Sequence, residues 1–242
     1  MIGIKPAPRP LAGLLLAGLL IGIWGLSIGL CVFALPLRPA TFWLVPLLMF
    51  FHMWLFVGLF IMAHDAMHGS LAPGRARLNR WIGSLCLFLY AGFDFGEALP
   101  KHHAHHGAPG GPQDPDGHPA QQFWPWYGRF VGNYFGPRNV LFVSLVLGAL
   151  LILGAKPANA LLFWAVPAIL SSLQLFVFGT YLPHRRAPIP FKDAHNARSN
   201  DWPEWLSLLT CFHFGYHHEH HLHPGAPWWR LPDIRRKERA AQ

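Results

Sequence analysis

Charge is what this sequence has least of. Asp, Glu, Lys and Arg make up 12% of the 242 residues, while 52% are hydrophobic. A soluble domain carries about 25% charged residues, so the shortfall points to lipid as the main solvent. Acid is the scarcer sign: 11 acidic residues stand against 19 basic ones, a net charge of +8. Cysteine is rare as well. Cys31, Cys86 and Cys211 are scattered without CxxC spacing, which excludes a disulfide framework and a cysteine-held iron–sulfur site. No GxGxxG or P-loop pattern occurs, so no nucleotide or redox cofactor site is readable in the chain.

Long apolar runs are what the sequence does have. Residues 11–35 carry no charge, and at about 1.5 Å per residue they can cross a hydrocarbon core about 30 Å thick. The run is longer than the apolar region of a signal peptide, so it is expected to stay as an anchor. Residues 40–63, 139–154 and 158–182 are the other expected spans. Residues 81–93 are apolar but too short to span, and suit an interfacial or re-entrant helix. The expected fold is an all-α integral membrane protein. Four transmembrane helices form two hairpins, joined by cytoplasmic or interfacial helices in one domain over residues 1–242. Segments 64–138 and 183–242 then share a side with the N-terminus. Every Lys and Arg except Arg38 and Lys156 falls there, Lys5 and Arg9 included, and the positive-inside bias makes that side cytoplasmic. Topology and anionic lipid explain the basic excess, with no need for nucleic acid. Gly18, Gly22, Gly25 and Gly29 share one face of the first span, expected to seat a neighbouring helix of the same chain. Pro46 and Pro167 are expected to kink their spans.

The chain contains 16 histidines, and only His52 lies in an expected span. The others include three clusters: "HDAMH", "HHAHH" and "HHEHH". On a helix, positions i, i+3 and i+4 share a face. His64 with His68, then His102, His105 and His106, then His217, His220 and His221 follow that spacing. These are too many donors for one zinc-like ion, which takes about four, and they fit two ions. Imidazole alone does not select the metal. The lack of thiolate ligands and the presence of a bilayer, whose lipids offer unactivated C–H bonds, favour a redox metal such as iron. A loose histidine-rich tract that sequesters metal is the alternative.

Metal-bound histidines commonly give their second N–H to a carboxylate. Asp65 and Asp116 are the favoured site carboxylates. Asp114, Asp193, Asn196 and Glu219 have the same possible role, with a solvated loop charge or helix cap as the alternative for each. His195 and His213 stand open between site support and structure, His118 reads as surface, and His52 as a buried histidine with one hydrogen bond. Phe176, Phe178, Trp202 and Trp205 are expected channel walls for an apolar substrate. Trp228 and Trp229 read as an interfacial belt.

The clusters resemble the histidine boxes of the membrane fatty acid desaturase and hydroxylase superfamily of non-haem di-iron proteins. "GLFIMAHDAMHGSLAPGR" (58–75), "LFVFGTYLPHR" (175–185), "HNARS" (195–199) and "LLTCFHFGYHHEHHLHPGAPWWRLP" (208–232) resemble the bacterial β-carotene ketolases within it. The resemblance implies a di-iron oxygenase of a bacterial inner membrane that uses O2. It would convert the C4 methylene of β-ionone rings to a ketone, taking β-carotene through echinenone to canthaxanthin and hydroxylated rings toward astaxanthin. It implies electrons from an external donor such as ferredoxin. It carries His64, His68, His102, His105, His106, His217, His220 and His221 over as iron ligands, leaves His103 out, and adds His184 as a ninth. The stretch "HFGY" is one residue shorter than in some members, and residues 107–119 are richer in Pro and Gly than the family pattern. A carotenoid hydroxylase or lipid desaturase of the same superfamily is the nearest alternative function. A histidine-rich metal-binding or transport protein is the alternative of another class.

Overall fold

The computed structural model describes residues 10–241. Lys5 and Arg9, the basic residues expected ahead of the first span, lie outside the described residues. All regular structure among the described residues is helical. The principal elements are α1 (Pro10–Ala34), α2 (Leu44–Met67), α3 (Ala76–Ala91), α4 (Phe95–Gly107), α5 (Phe123–Tyr134), α6 (Pro137–Ile152), α7 (Pro157–His184), α8 (Glu204–Cys211), α9 (His217–Leu222) and α10 (Leu231–Ala240).

Helices α1, α2 and α7 are each long and apolar enough to cross a membrane. Two further pairs pass that test only together. α3 and α4 meet at a bend of 100°, and α5 and α6 at 81°. The run expected to span at residues 139–154 lies in α6, whose 16 residues reach a spanning length only with α5. The short run at 81–93 ends in the bend between α3 and α4.

Helix α2 is the centre of the fold. Its N-terminal half still shows Leu47, Phe50 and Phe51 to the outside. From Leu55 to Met67 only Phe60 is not fully buried. A helix that is apolar all round must be covered on every side, and α1, α3 and α7 pack around this one. The burial delivers His64 and Asp65 into the protein rather than to its surface.

Helix α1 faces outward with Leu11, Leu15, Leu19, Leu26 and Leu30, the apolar surface that lipid requires. Its glycine face corrects an expectation. Gly18, Gly22 and Gly25 are exposed, and no atom of the chain lies within 4 Å of a Cβ built at any of them or at Gly29. The contact with α2 uses the opposite face, through Ala17 and Leu20. The close approach there falls on α2, where a Cβ on Gly58 would meet Leu20 at 2.7 Å.

Of the two prolines expected to kink their spans, Pro46 departs from expectation. Pro46 sits in the first turn of α2, where a missing N–H costs no helical bond. Pro167 follows a π-helical segment at Leu161–Ala165, and Pro183 follows another at Phe176–Tyr181. Both wide turns lie where a proline withdraws a donor, and local rewinding absorbs the loss.

Two features aim the second histidine cluster. Gly92 ends α3 with φ +68, and a Cβ there would lie 2.5 Å from the Phe142 ring. Any larger residue would meet both backbone strain and α6. Asp94 then caps α4, accepting from the Glu97 N–H at 2.9 Å. The sharp turn brings the far end of α4 back beside α2.

Candidate metal centre

The C-terminal end of α2, the C-terminal half of α4, the last residue of α7 and the short α9 meet at one place. They bring the predicted histidines into two groups. His64, His68, His102, His106 and His220 form the first, and His105, His184, His217 and His221 the second. Within each group one ring nitrogen per residue lies within 4.8 Å of all the others. Each i, i+4 pair stays in one group. The residue just before the second member of the pair in α4 and α9 crosses over, because neighbours on a helix differ by about 100° in direction. The clusters therefore interleave at two centres.

The donor chemistry fits metal. His68 and His102 turn Nε2 toward Nε2 at 2.6 Å, His106 and His220 at 3.0 Å, and His217 and His221 at 3.1 Å. Both ring nitrogens of His64, Nε2 of His184 and Nδ1 of His217 and His221 are buried without a hydrogen-bond partner. Buried polar atoms left unpaired are costly. A cation at each centre would satisfy such lone pairs together. Burial first, and then the neighbouring imidazoles, hold His217, His220 and His221 well below the ordinary imidazole pKa. Both causes favour the neutral ring, the form that binds metal.

Several rings are held from behind. His105 donates from Nδ1 to Asp114 Oδ1 at 3.0 Å, which leaves Nε2 for the second centre. His184 donates from Nδ1 to the Asn196 carbonyl at 2.7 Å. Asn196 is itself fixed through its amide to the Pro109 carbonyl at 2.9 Å. The Asp114 carboxylate also accepts the N–H groups of Gly110 and Asp116, so it is rigid. Asp116 lies behind it, with Oδ2 at 3.8 Å from His105 Nδ1 and Oδ1 accepting from Tyr134 Oη at 2.7 Å. Asp65 is buried and accepts the Trp228 N–H at 3.0 Å, tying the chain after α9 to α2. Supporting hydrogen bonds of this kind are worth about 10–100-fold in metal affinity. Asp114→Ala is expected to lose iron affinity in that range, with Asp116→Asn losing less; titration of the purified apoproteins with Fe(II) measures both.

The remaining candidates lie off the two centres. Asp193 pairs with His218 at 2.8 Å. Glu219 is buried under Arg235 and Ser199 and anchors α10 over α9. His195 comes within 6.1 Å of the His221 ring without joining its group. His213 stacks between Tyr216 and Trp228. His103 belongs to neither group. His52 is fully buried, but neither ring nitrogen has a hydrogen-bond partner, contrary to the single bond expected. Trp228 is partly buried and packs on Phe212 at the edge of the core.

An apolar cavity of about 380 Å³ opens onto the histidines. Its walls are not the aromatic residues expected from sequence. Phe60, Leu87, Phe130, Val143, Ala168 and Leu175 line it, with Asp116 and Tyr134 at the histidine end. Phe176 is buried instead against Phe123, Trp126 and Tyr127, and Trp205 is exposed. Tyr134 carried no signal in the sequence, since it belongs to an amphipathic helix with no histidine or acid.

The family model for fatty acid desaturase matches residues 43–143 and 134–242. A protein named β-carotene ketolase from Paracoccus sp. (strain PC1) is 48% identical over 225 residues, 88% of this chain and 91% of the relative. One of the same name from another Paracoccus strain is 53% identical over 188 residues, 76% of each chain. A zeaxanthin 4-ketolase of Chlamydomonas reinhardtii is 36% identical over 252 residues, 98% of this chain and 56% of the relative. With matches over most of its length, the chain belongs to the fatty acid desaturase family, in the group of the β-carotene ketolases.

Proposed function

We propose that the protein is a membrane-embedded carotenoid ketolase that converts the C4 methylene of a β-ionone ring to a ketone. Its substrate is β-carotene, with echinenone and canthaxanthin as successive products; zeaxanthin is a second substrate, leading to astaxanthin. One observation carries the reading: two groups of closely spaced imidazoles lie together, and His64, His102, His105, His106 and His217 line one end of a largely apolar cavity. His64, His68, His102, His106 and His220 would hold one iron ion, and His105, His184, His217 and His221 the other. Two bound irons would supply the reduction of O2 needed to attack an unactivated ring C–H bond. Electrons come from an external carrier such as ferredoxin, since the sequence carries no motif for one of its own.

The chain's residues do the rest. Asp114 and the Asn196 carbonyl fix the tautomers of His105 and His184. Asp65 holds the segment after α9 against the first box. The apolar walls bind a long, stiff hydrocarbon and keep water from the reacting carbon. The whole chain acts as one domain, with the site at the cytoplasmic face of a bacterial inner membrane; the bias of Lys and Arg supports that orientation.

Expression in cells that accumulate β-carotene tests the function. Echinenone and canthaxanthin are expected in the pigment extract. Only hydroxylated or only desaturated products would assign the sister activities, each with its own mass change. Verified membrane expression with unchanged pigment would overturn the reading.

A further inference from the structure

We propose that Tyr134 and Asp116 form a hydroxyl-binding subsite beside the metal centre, which retains the half-oxidised ring as its C4 alcohol until the second oxidation. The inference rests on the ketolase reading. Making a ketone from a methylene takes two rounds at one carbon. In each round one oxygen atom of O2 enters a C4–H bond and the other leaves as water. Two electrons from the external carrier and two protons complete each round. The resulting geminal diol loses water to give the C=O. Between rounds the ring carries an alcohol, and an alcohol left unpaired in an apolar cavity is driven out toward water or the headgroups.

Most hydroxyls around the cavity are already used. Tyr90 bonds Ser171 at 2.8 Å, and Tyr127 bonds Ser172 at 2.7 Å. Both serines are also committed to carbonyls of their own helix, each at 2.7 Å. Glu97 and Arg138 pair with each other at an exposed mouth. Tyr134 and Asp116 differ. Tyr134 Oη donates to Asp116 Oδ1, which leaves the phenol oxygen free to accept. Asp116 Oδ2 comes no closer than 3.8 Å to His105 Nδ1, outside hydrogen-bond range. Both residues line the cavity together with His102, His105 and His106.

The pair is also held in advance. The Asp116 N–H donates to Asp114 at 2.9 Å, and its carbonyl accepts from the Trp126 indole at 2.6 Å. Lys101 lies over the Tyr134 ring at 5.1 Å and donates to the neighbouring Asn133 carbonyl. A preformed acceptor loses little entropy on binding. The C4 methylene of the substrate has nothing to donate to it, whereas the C4 alcohol gains a charge-assisted hydrogen bond. Such a bond favours the intermediate on the order of tenfold over the parent hydrocarbon.

Two measurements test the subsite. The first is the ratio of C4 alcohol to C4 ketone made by the wild-type chain and by Tyr134→Phe in cells that accumulate β-carotene. The alcohol share is expected to rise on the order of tenfold in the variant. A positioning role for Tyr134 through Asp116 and His105 alone would lower total oxidised pigment and leave the ratio unchanged, and that result overturns the proposal. The second is quenching of tryptophan fluorescence in purified, iron-free, full-length protein by 4-hydroxy-β-carotene and by β-carotene. Wild type is expected to prefer the alcohol about tenfold, and Tyr134→Phe and Asp116→Asn to lose that preference. Equal affinity of wild type for the two ligands overturns the proposal even if neither variant accumulates. No oxidised pigment from wild type, with the alcohol preference intact, would instead count against the ketolase reading.

Discussion

His220→Ala is expected to abolish ketone formation and to lower the iron content from two ions per chain toward one. The reason lies in the exchange between clusters. His220 sits on α9, between His217 and His221 of the second centre, yet its ring belongs with His64, His68, His102 and His106. It is 1% exposed, with its centroid 4.6 Å from that of His64. Removing it opens the first centre and leaves all four donors of the second in place. Loss of a supporting contact already costs about 10–100-fold at metal sites, so loss of a donor itself is expected to cut ketone output at least about 100-fold. His103→Ala is the matched control, because it removes a histidine from a cluster but from neither centre. Metal analysis of the purified proteins and pigment extraction from the same cultures check both. Full iron and full ketone in His220→Ala would remove it from the ligand set.

The donors were legible in the sequence because helical periodicity is local. Spacing of i, i+3 and i+4 selects side chains on one face whatever the rest of the fold does. It could not say which donors share an ion. That depends on the angle between α4 and α9, set by the Gly92 bend and by the packing of α10 through Glu219 and Arg235. The apolar runs of α1, α2 and α7 were equally plain, since hydropathy needs no tertiary knowledge. The face of α1 that packs was not. Glycines aligned at helical spacing mark a surface able to approach closely, but Ala17 and Leu20 on the other side made the actual contact. The supporting carboxylates divide the same way. Asp65 stands inside the first box, so proximity in sequence drew attention to it. Asp114 and Asp116 lie in a loop folded back on His105 by bonds from Gly110, Asn133 and Trp126, and the sequence favours Asp116 although it is Asp114 that accepts from His105. The channel walls differ for a related reason: the cavity is walled by other residues, the aromatic Phe60, Phe130 and Tyr134 among them, which only tertiary packing brings together from separate helices.

Ala168→Phe is expected to cut turnover at least about tenfold while leaving the metal centre intact, the opposite partition from a ligand loss. Ala165, Ala168 and Ser172 lie on one side of α7 and line the cavity with Val143 of α6. Ile169, one residue on, also lines the cavity and is 65% exposed. The cavity thus reaches an exposed position on α7, next to the small side chains of Ala165 and Ala168. A ring held at the histidines must carry its polyene past Ala168. A phenyl group at that position fills the passage and excludes the substrate, which is expected to lower turnover on the order of 10–100-fold. The new side chain is apolar and sits on a helix between cavity and lipid, so it asks no buried polar group to go unpaired. Iron content equal to wild type, with ketone output at least about tenfold lower, is the expected pair of results. Unchanged ketone output from Ala168→Phe would mean that the substrate reaches the histidines by another route, the mouth at Glu97 and Arg138 being the one the cavity offers.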